Sequence, residues 1–132
     1  PPELAKNGLS KTIQQSIKRL QSVSTINFTF ITFGNAKRMS EERELNIYRV
    51  ISELLNNIVK HSKATKATIQ VIFYEEYVHI SVEDNGVGIK TEEKNWGIVL
   101  KNVNSRIELL KAKLLKDSNE NGTTFIIEVS YI

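Results

Sequence analysis

Glu53, Asn57 and Lys60 recur at i, i+4 and i+7 in a stretch of apolar periodicity. At about 100° per residue they fall within about 60° of one another on one flank of a helix. His61 follows on the edge of the apolar stripe. Such residues commonly form a plain solvated flank. Yet Asn is a poor former of helix interiors, and an amide oxygen beside a carboxylate is the hard-oxygen chemistry that magnesium accepts.

A second group is Glu83, Asp84, Asn85, Gly86, Val87, Gly88 and Ile89, directly after an alternating apolar run that ends at Val82. Asn-Gly is a hairpin signal, but Lys90 to Asn95 is polar and carries no alternating return strand. The two glycines are therefore expected to let backbone approach a flat ligand. Asp84, at the strand end, can accept a hydrogen bond from an amino group such as adenine's. Gly88, Ile89, Lys90 and Thr91 do not make a phosphate-binding P-loop, because Ile89 separates the glycine from the lysine. A dinucleotide fingerprint fails as well, since Thr91 stands where a third glycine is needed.

Gly97, Ile98, Val99, Leu100, Lys101 and Asn102 mark the expected mouth of a later helix, whose unpaired amides suit phosphate. Gly122, Thr123 and Thr124 open the last strand and alone read as a turn. Trp96 reads as a packing anchor for the preceding loop rather than a base-stacking ring, and His79, between Val78 and Ile80, as a sheet-surface residue.

The elements that must hold these residues follow from periodicity. Leu9, Ile13, Ile17 and Leu20 predict a first helix after Gly8. Ile26, Phe28 and Phe30 alternate as a strand closed by Gly34 and Asn35. Ser40 is an N-cap for the long helix carrying Ile47, Ile51, Leu54, Leu55 and Ile58. Ala67 to Phe73 and Val78 to Val82 predict a hairpin, Leu100 to Leu114 a third helix, and Phe125 to Tyr131 a closing strand. Alternation in every strand argues for a sheet buried on one face. The expected class is α/β in the α+β sense, a two-layer sandwich of a mixed, mostly antiparallel sheet covered on one face by three helices.

Composition narrows the function. The chain has 132 residues, no Cys and a net charge of +3 spread along its length. Disulfides, thiolate metal sites and a thiol nucleophile are excluded, no apolar run approaches a membrane span, and no basic stripe points to nucleic acid. Pro1 opens the chain and Met39 is its only Met, so a piece of a longer polypeptide is expected.

Taken together and in this order, the four groups resemble the catalytic ATP-binding domain of sensor histidine kinases, within the ATPase superfamily that includes gyrase, heat-shock protein 90 and MutL. Glu53, Asn57, Lys60 and His61 resemble the N box, and Asp84, Gly86 and Gly88 the G1 box. Gly97, Leu100, Asn102 and Arg106 resemble the G2 box, and Gly122 with Thr123 the last glycine motif. Only Ile89 to Trp96 separates the second group from the third, which is similar to the short-lid kinases paired with NarL-type and LytR-type regulators. Pro2, Leu4, Gly8 and Leu9 resemble the segment joining phosphoacceptor helices to the ATP domain. On that basis residues 1–24 are a linker and first helix, and residues 25–132 the catalytic domain.

The resemblance implies a Bergerat-type fold, ATP and magnesium as cofactors, and transfer of the γ-phosphate to a histidine on a separate helical domain. Glu53, Lys60 and His61 would be catalytic, and Asn57 would ligate the metal. Asp84, Gly86, Gly88, Ile89, Gly97, Leu100 and Thr123 would bind the nucleotide, with Thr123 acting through a shared water. The partners implied are the polypeptide's own dimerisation and phosphoacceptor helices, a response regulator and a second copy joined through those helices; neither nucleic acid nor direct membrane contact is implied. The location implied is cytoplasmic, with the parent's membrane anchoring left open. One departure is Val99, where the family has a second glycine: a β-branched residue there is expected to hold the phosphate loop strained or open. It gives some support to a different reading, a nucleotide-binding regulatory module without phosphotransfer.

Overall fold

A computed structural model describes residues 1–90 and 93–132. Among them the chain forms α1 (Pro2–Asn7), α2 (Leu9–Val23), β1 (Asn27–Gly34), α3 (Glu41–His61), β2 (Lys66–Phe73), β3 (Tyr77–Asp84), α4 (Lys94–Leu110), β4 (Lys113–Asn119) and β5 (Gly122–Ser130). The strands make one sheet in the order β1-β2-β3-β5-β4. β1 runs parallel to β2 because α3 crosses between them, and the other three pairings are antiparallel.

Alternation decides which face is covered. Ala67, Ile69, Val71 and Phe73 of β2, Val78, Ile80 and Val82 of β3, and Phe125, Ile127 and Val129 of β5 are buried on one side. Onto them pack Ile13 and Ile17 of α2, Ile47, Ile51, Leu54 and Ile58 of α3, and Val103 and Ile107 of α4. The opposite face carries His79, whose Nδ1 lies 3.0 Å from Glu128 Oε2, as its place between two inward residues requires. α3 is the best-specified element. Ser40 Oγ accepts from the Arg43 amide at 3.2 Å, Glu41, Glu42 and Glu44 occupy the first turn, and Lys60 and His61 the last, all matching the helix dipole.

Two elements depart from expectation. Among the described residues helices number four rather than three, because Pro2–Asn7 forms a short helix of its own with Pro at its start. The third long helix ends at Leu110, not Leu114: Lys111 turns left-handed (φ 51°) and Leu114 belongs to β4, a strand absent from the periodic reading. No helix among the described residues is long and apolar enough to cross a membrane.

Candidate nucleotide site

The elements converge at the end of β3. Asp84 continues the inward series of Val78, Ile80 and Val82, so its carboxylate projects onto the helix side and is buried. Its Oδ1 accepts from the Gly86 amide at 2.8 Å. Burial pushes the carboxyl above the usual carboxylate range, against the pull of that amide, and neighbouring Glu83 adds to the rise. Thr123, also buried, is its register partner on β5, so the two side chains lie next to each other on one face.

The glycines after Asp84 have a packing role of their own. A Cβ on Gly86 would collide with the Ser62 backbone carbonyl, and one on Gly88, where φ is 85°, with the Asn119 carbonyl. They make room for the protein's own backbone, a contact that the sequence does not show. The turn is tied down on both sides: Val87 N–H donates to Ser62 O at 2.8 Å, and Ile89 N–H to Ser118 Oγ at 2.8 Å. Asn85 is no hairpin residue; its Oδ1 accepts from the amides of Thr65 and Lys66, each at 2.9 Å, clamping the turn to the α3–β2 connection.

That clamp brings the end of α3 beside the turn. Asn57 is buried, and its Nδ2 donates to the Glu53 carbonyl at 2.8 Å. Because a carbonyl only accepts, the amide orientation follows, and among the described residues Oδ1 makes no hydrogen bond, leaving it as a hard oxygen. Glu53 Oε1 accepts from Asn102 Nδ2 of α4 at 3.1 Å, joining the first predicted group to the third. Lys60 is exposed and His61 half-buried on the last turn. Among the described residues no three His, Asp or Glu side chains form a metal cage. A magnesium ion here would be held mainly by phosphate and water, with a single protein oxygen, which is the way this ion is ordinarily bound.

The third group is corrected in part. Gly97 is not the mouth of the helix: α4 begins at Lys94, and Gly97 sits within it, with open space where a Cβ would stand. Val99 is likewise helical and buried in the core, so it needs no glycine-like conformation and strains nothing. Leu100 packs against the same core. Trp96 is buried there too, which makes it the packing anchor expected of it. Thr91 and Glu92, part of the short stretch between the second and third groups, lie outside the described residues. A groove of about 380 Å³ wraps the same strand end. Its walls include Lys66, Thr68, Glu83 and Thr124, whose side chains alternate away from the inward-facing series, and it meets the site at Asp84, Asn85, Gly122 and Thr123.

Sequence reasoning missed Ser118, which touches both the turn and Thr123. Its strand carries no periodic signal that could have marked it.

Residues 42–131 match the family model described as histidine kinase-, DNA gyrase B- and HSP90-like ATPase. The chain belongs to that family. It is 30% identical over 132 residues to the oxygen sensor histidine kinase NreB of Staphylococcus carnosus, covering 98% of this chain and 38% of that protein. It is 29% identical over 124 residues to the histidine-protein kinase/phosphatase DegS of Brevibacillus brevis, covering 92% and 32%. The chain thus spans about a third of the length of these curated relatives. Among solved structures, the catalytic domain of histidine kinase ThkA superposes with a TM-score of 0.74 at 22% identity, covering 95% of this chain and 93% of that one. The blue-light activated histidine kinase EL346 of Erythrobacter litoralis superposes at 0.72 and 18% identity, over 93% of this chain and 42% of that one. The fold is therefore that of histidine kinase catalytic domains, and ATP is the ligand of the family.

Proposed function

We propose that the chain is the ATP-binding catalytic domain of a two-component sensor histidine kinase, donating the γ-phosphate of magnesium ATP to a histidine on a separate helical domain. The observation that carries this reading is the buried Asp84 beside Thr123, at a strand end whose following turn is fastened to Ser62 at the end of α3, the helix that carries Glu53 and Asn57.

In this reading the Asp84 carboxylate accepts from the adenine amino group, while Gly86, Gly88 and Ile89 hold the turn that carries it. The phosphates extend toward α3 and the first turn of α4, where backbone amides without intrahelical partners attract anions. Asn57 Oδ1 is the protein's oxygen for magnesium, which when bound neutralises phosphate charge. Glu53, fixed by Asn102, orients or activates the incoming acceptor, and Lys60 and His61 lie on the phosphate side. The acceptor imidazole nitrogen forms a bond to phosphorus as the bond to the bridging oxygen of ADP breaks, and the imidazole proton leaves to a base or water. The helical domain would also join two copies and offer the phosphoryl group to a response regulator, in the cytoplasm. The regulatory-module reading loses its best sequence support, since Val99 is an ordinary core residue of α4.

Calorimetric titration tests the reading. ATP and ADP should bind saturably, and magnesium should tighten ATP binding. Asn57→Ala should abolish that gain while leaving metal-free binding of adenosine nearly unchanged. Absence of ATP binding by the unaltered chain would overturn the proposal.

A further inference from the structure

Ser118 stands on β4, outside every motif that brought the ATP site to light, yet its hydroxyl joins two segments of that site. Its Oγ accepts from the Ile89 amide at 2.8 Å and lies 2.8 Å from Thr123 Oγ1. Gly88 is pressed against the same strand end, since a Cβ there would come within 3.2 Å of Ser118 Oγ. Thr123 is itself buried, and its register partner is Asp84.

We propose that Ser118 is a positioning residue that makes Thr123 a hydrogen-bond donor toward the nucleobase, and so makes the site select adenine over guanine. This inference rests on the ATP reading given above. The argument is one of hydrogen-bond polarity. An amide can only donate, so Ser118 Oγ is an acceptor toward Ile89. Either hydroxyl of the pair can be the donor; accepting from the amide polarises Ser118 to donate onward, and in the proposed arrangement its one proton goes to Thr123 Oγ1. Thr123 in turn keeps its own proton free and presents it on the side of Asp84.

The pair then offers one acceptor, the Asp84 carboxylate, beside one donor, the Thr123 hydroxyl. Adenine shows the matching edge, an amino group next to an accepting ring nitrogen. Guanine shows the reverse, a carbonyl oxygen next to a ring N–H. Without Ser118 the Thr123 proton is free to turn away from the base, and Asp84 alone is left to discriminate.

The test compares ATP and GTP affinity in the unaltered chain, Ser118→Ala and Ser118→Thr, with thermal unfolding as a check on the fold. Losing one neutral hydrogen bond should weaken ATP binding about two- to tenfold. GTP binding should not weaken, so the ATP-to-GTP ratio falls; Ser118→Thr, which keeps the oxygen, should restore it. Ser118→Cys, with a similar shape and a weak donor, gives the same reading if the alanine variant does not fold. An unchanged ratio, or equal weakening of both nucleotides, overturns the positioning role while leaving the ATP site standing. No ATP binding by the unaltered chain overturns the site and this inference together.

Discussion

Asp84 shows what the site costs the fold. Its carboxyl is raised by burial, so between the ordinary carboxylate range and its own raised value the folded chain binds more protons than the unfolded chain. Stability therefore falls as pH rises through that window, and the ionised carboxylate remains a net burden above it. Asp84→Asn removes the charge and keeps an oxygen for the Gly86 amide. The variant should unfold at a higher temperature at neutral pH, and its advantage should shrink as pH falls toward the ordinary carboxylate range. Adenine binding moves the other way. The new amide hydrogens would face the base amino group, and losing a charged hydrogen bond of about 1.5–3 kcal/mol should weaken ATP about ten- to a hundredfold. Thermal melts across pH together with calorimetry check both halves. Val99 belongs to the same scale with the opposite logic. Being buried and helical, Val99→Gly should cost about 2–4 kcal/mol of stability and tighten no ligand, as a denaturant titration would read.

At the scale of elements, what the sequence made legible depended on period and length. α2, α3, β2, β3 and β5 each show a full run of their own period, and their inward residues are those the pattern selects. β4 was hidden because Leu114 continues the spacing of Val103, Ile107 and Leu110, and because the helix is stopped by Lys111 rather than by a glycine. α1 is too short to show a period. Within the site, Asp84 was readable from its strand end and Asn57 from its helical flank. The glycines were recognisable as important, but their backbone contacts were not, since nothing local to Gly86 says that Ser62 arrives behind it. The distinction between glycines is testable. Gly86→Ala must displace the Ser62 carbonyl and should destabilise by about 1–3 kcal/mol. Gly97→Ala meets open space inside a helix and should stabilise by about 0.5–1 kcal/mol. If Gly97→Ala instead lowers stability, the first turn of α4 is not helical in solution.

At the scale of the whole molecule, residues before β1 are built into the same body as the site. Leu4, Leu9, Ile13 and Ile17 join the core of α3 and the sheet, and one polar hub fastens α1 to α3. Glu44, buried to 1% exposure, accepts from Arg38 Nε and Nη2, each at 3.1 Å, and from the Met39 amide at 3.3 Å. The same guanidinium donates to the carbonyls of Leu4 and Ala5, the last turn of α1. Arg38 is half exposed, so its charge is partly screened, but Glu44 is buried and cannot turn to solvent for a replacement. Arg38→Ala leaves a buried carboxylate short of donors and α1 without its clamp, and should lower the unfolding temperature. The loss should also be distributed unevenly. Amides of α1 should exchange with solvent much faster, whereas those of β3 and β5, satisfied by strand pairing far from the hub, should slow or quicken only with global stability. A second change, Glu44→Leu, removes the stranded charge but not the missing clamp. The double variant should recover most of the global stability while α1 stays unprotected, and hydrogen exchange resolved by residue separates the two effects. Restored protection of α1 in the double variant would show that apolar packing through Leu4, and not Arg38, holds α1 on the domain.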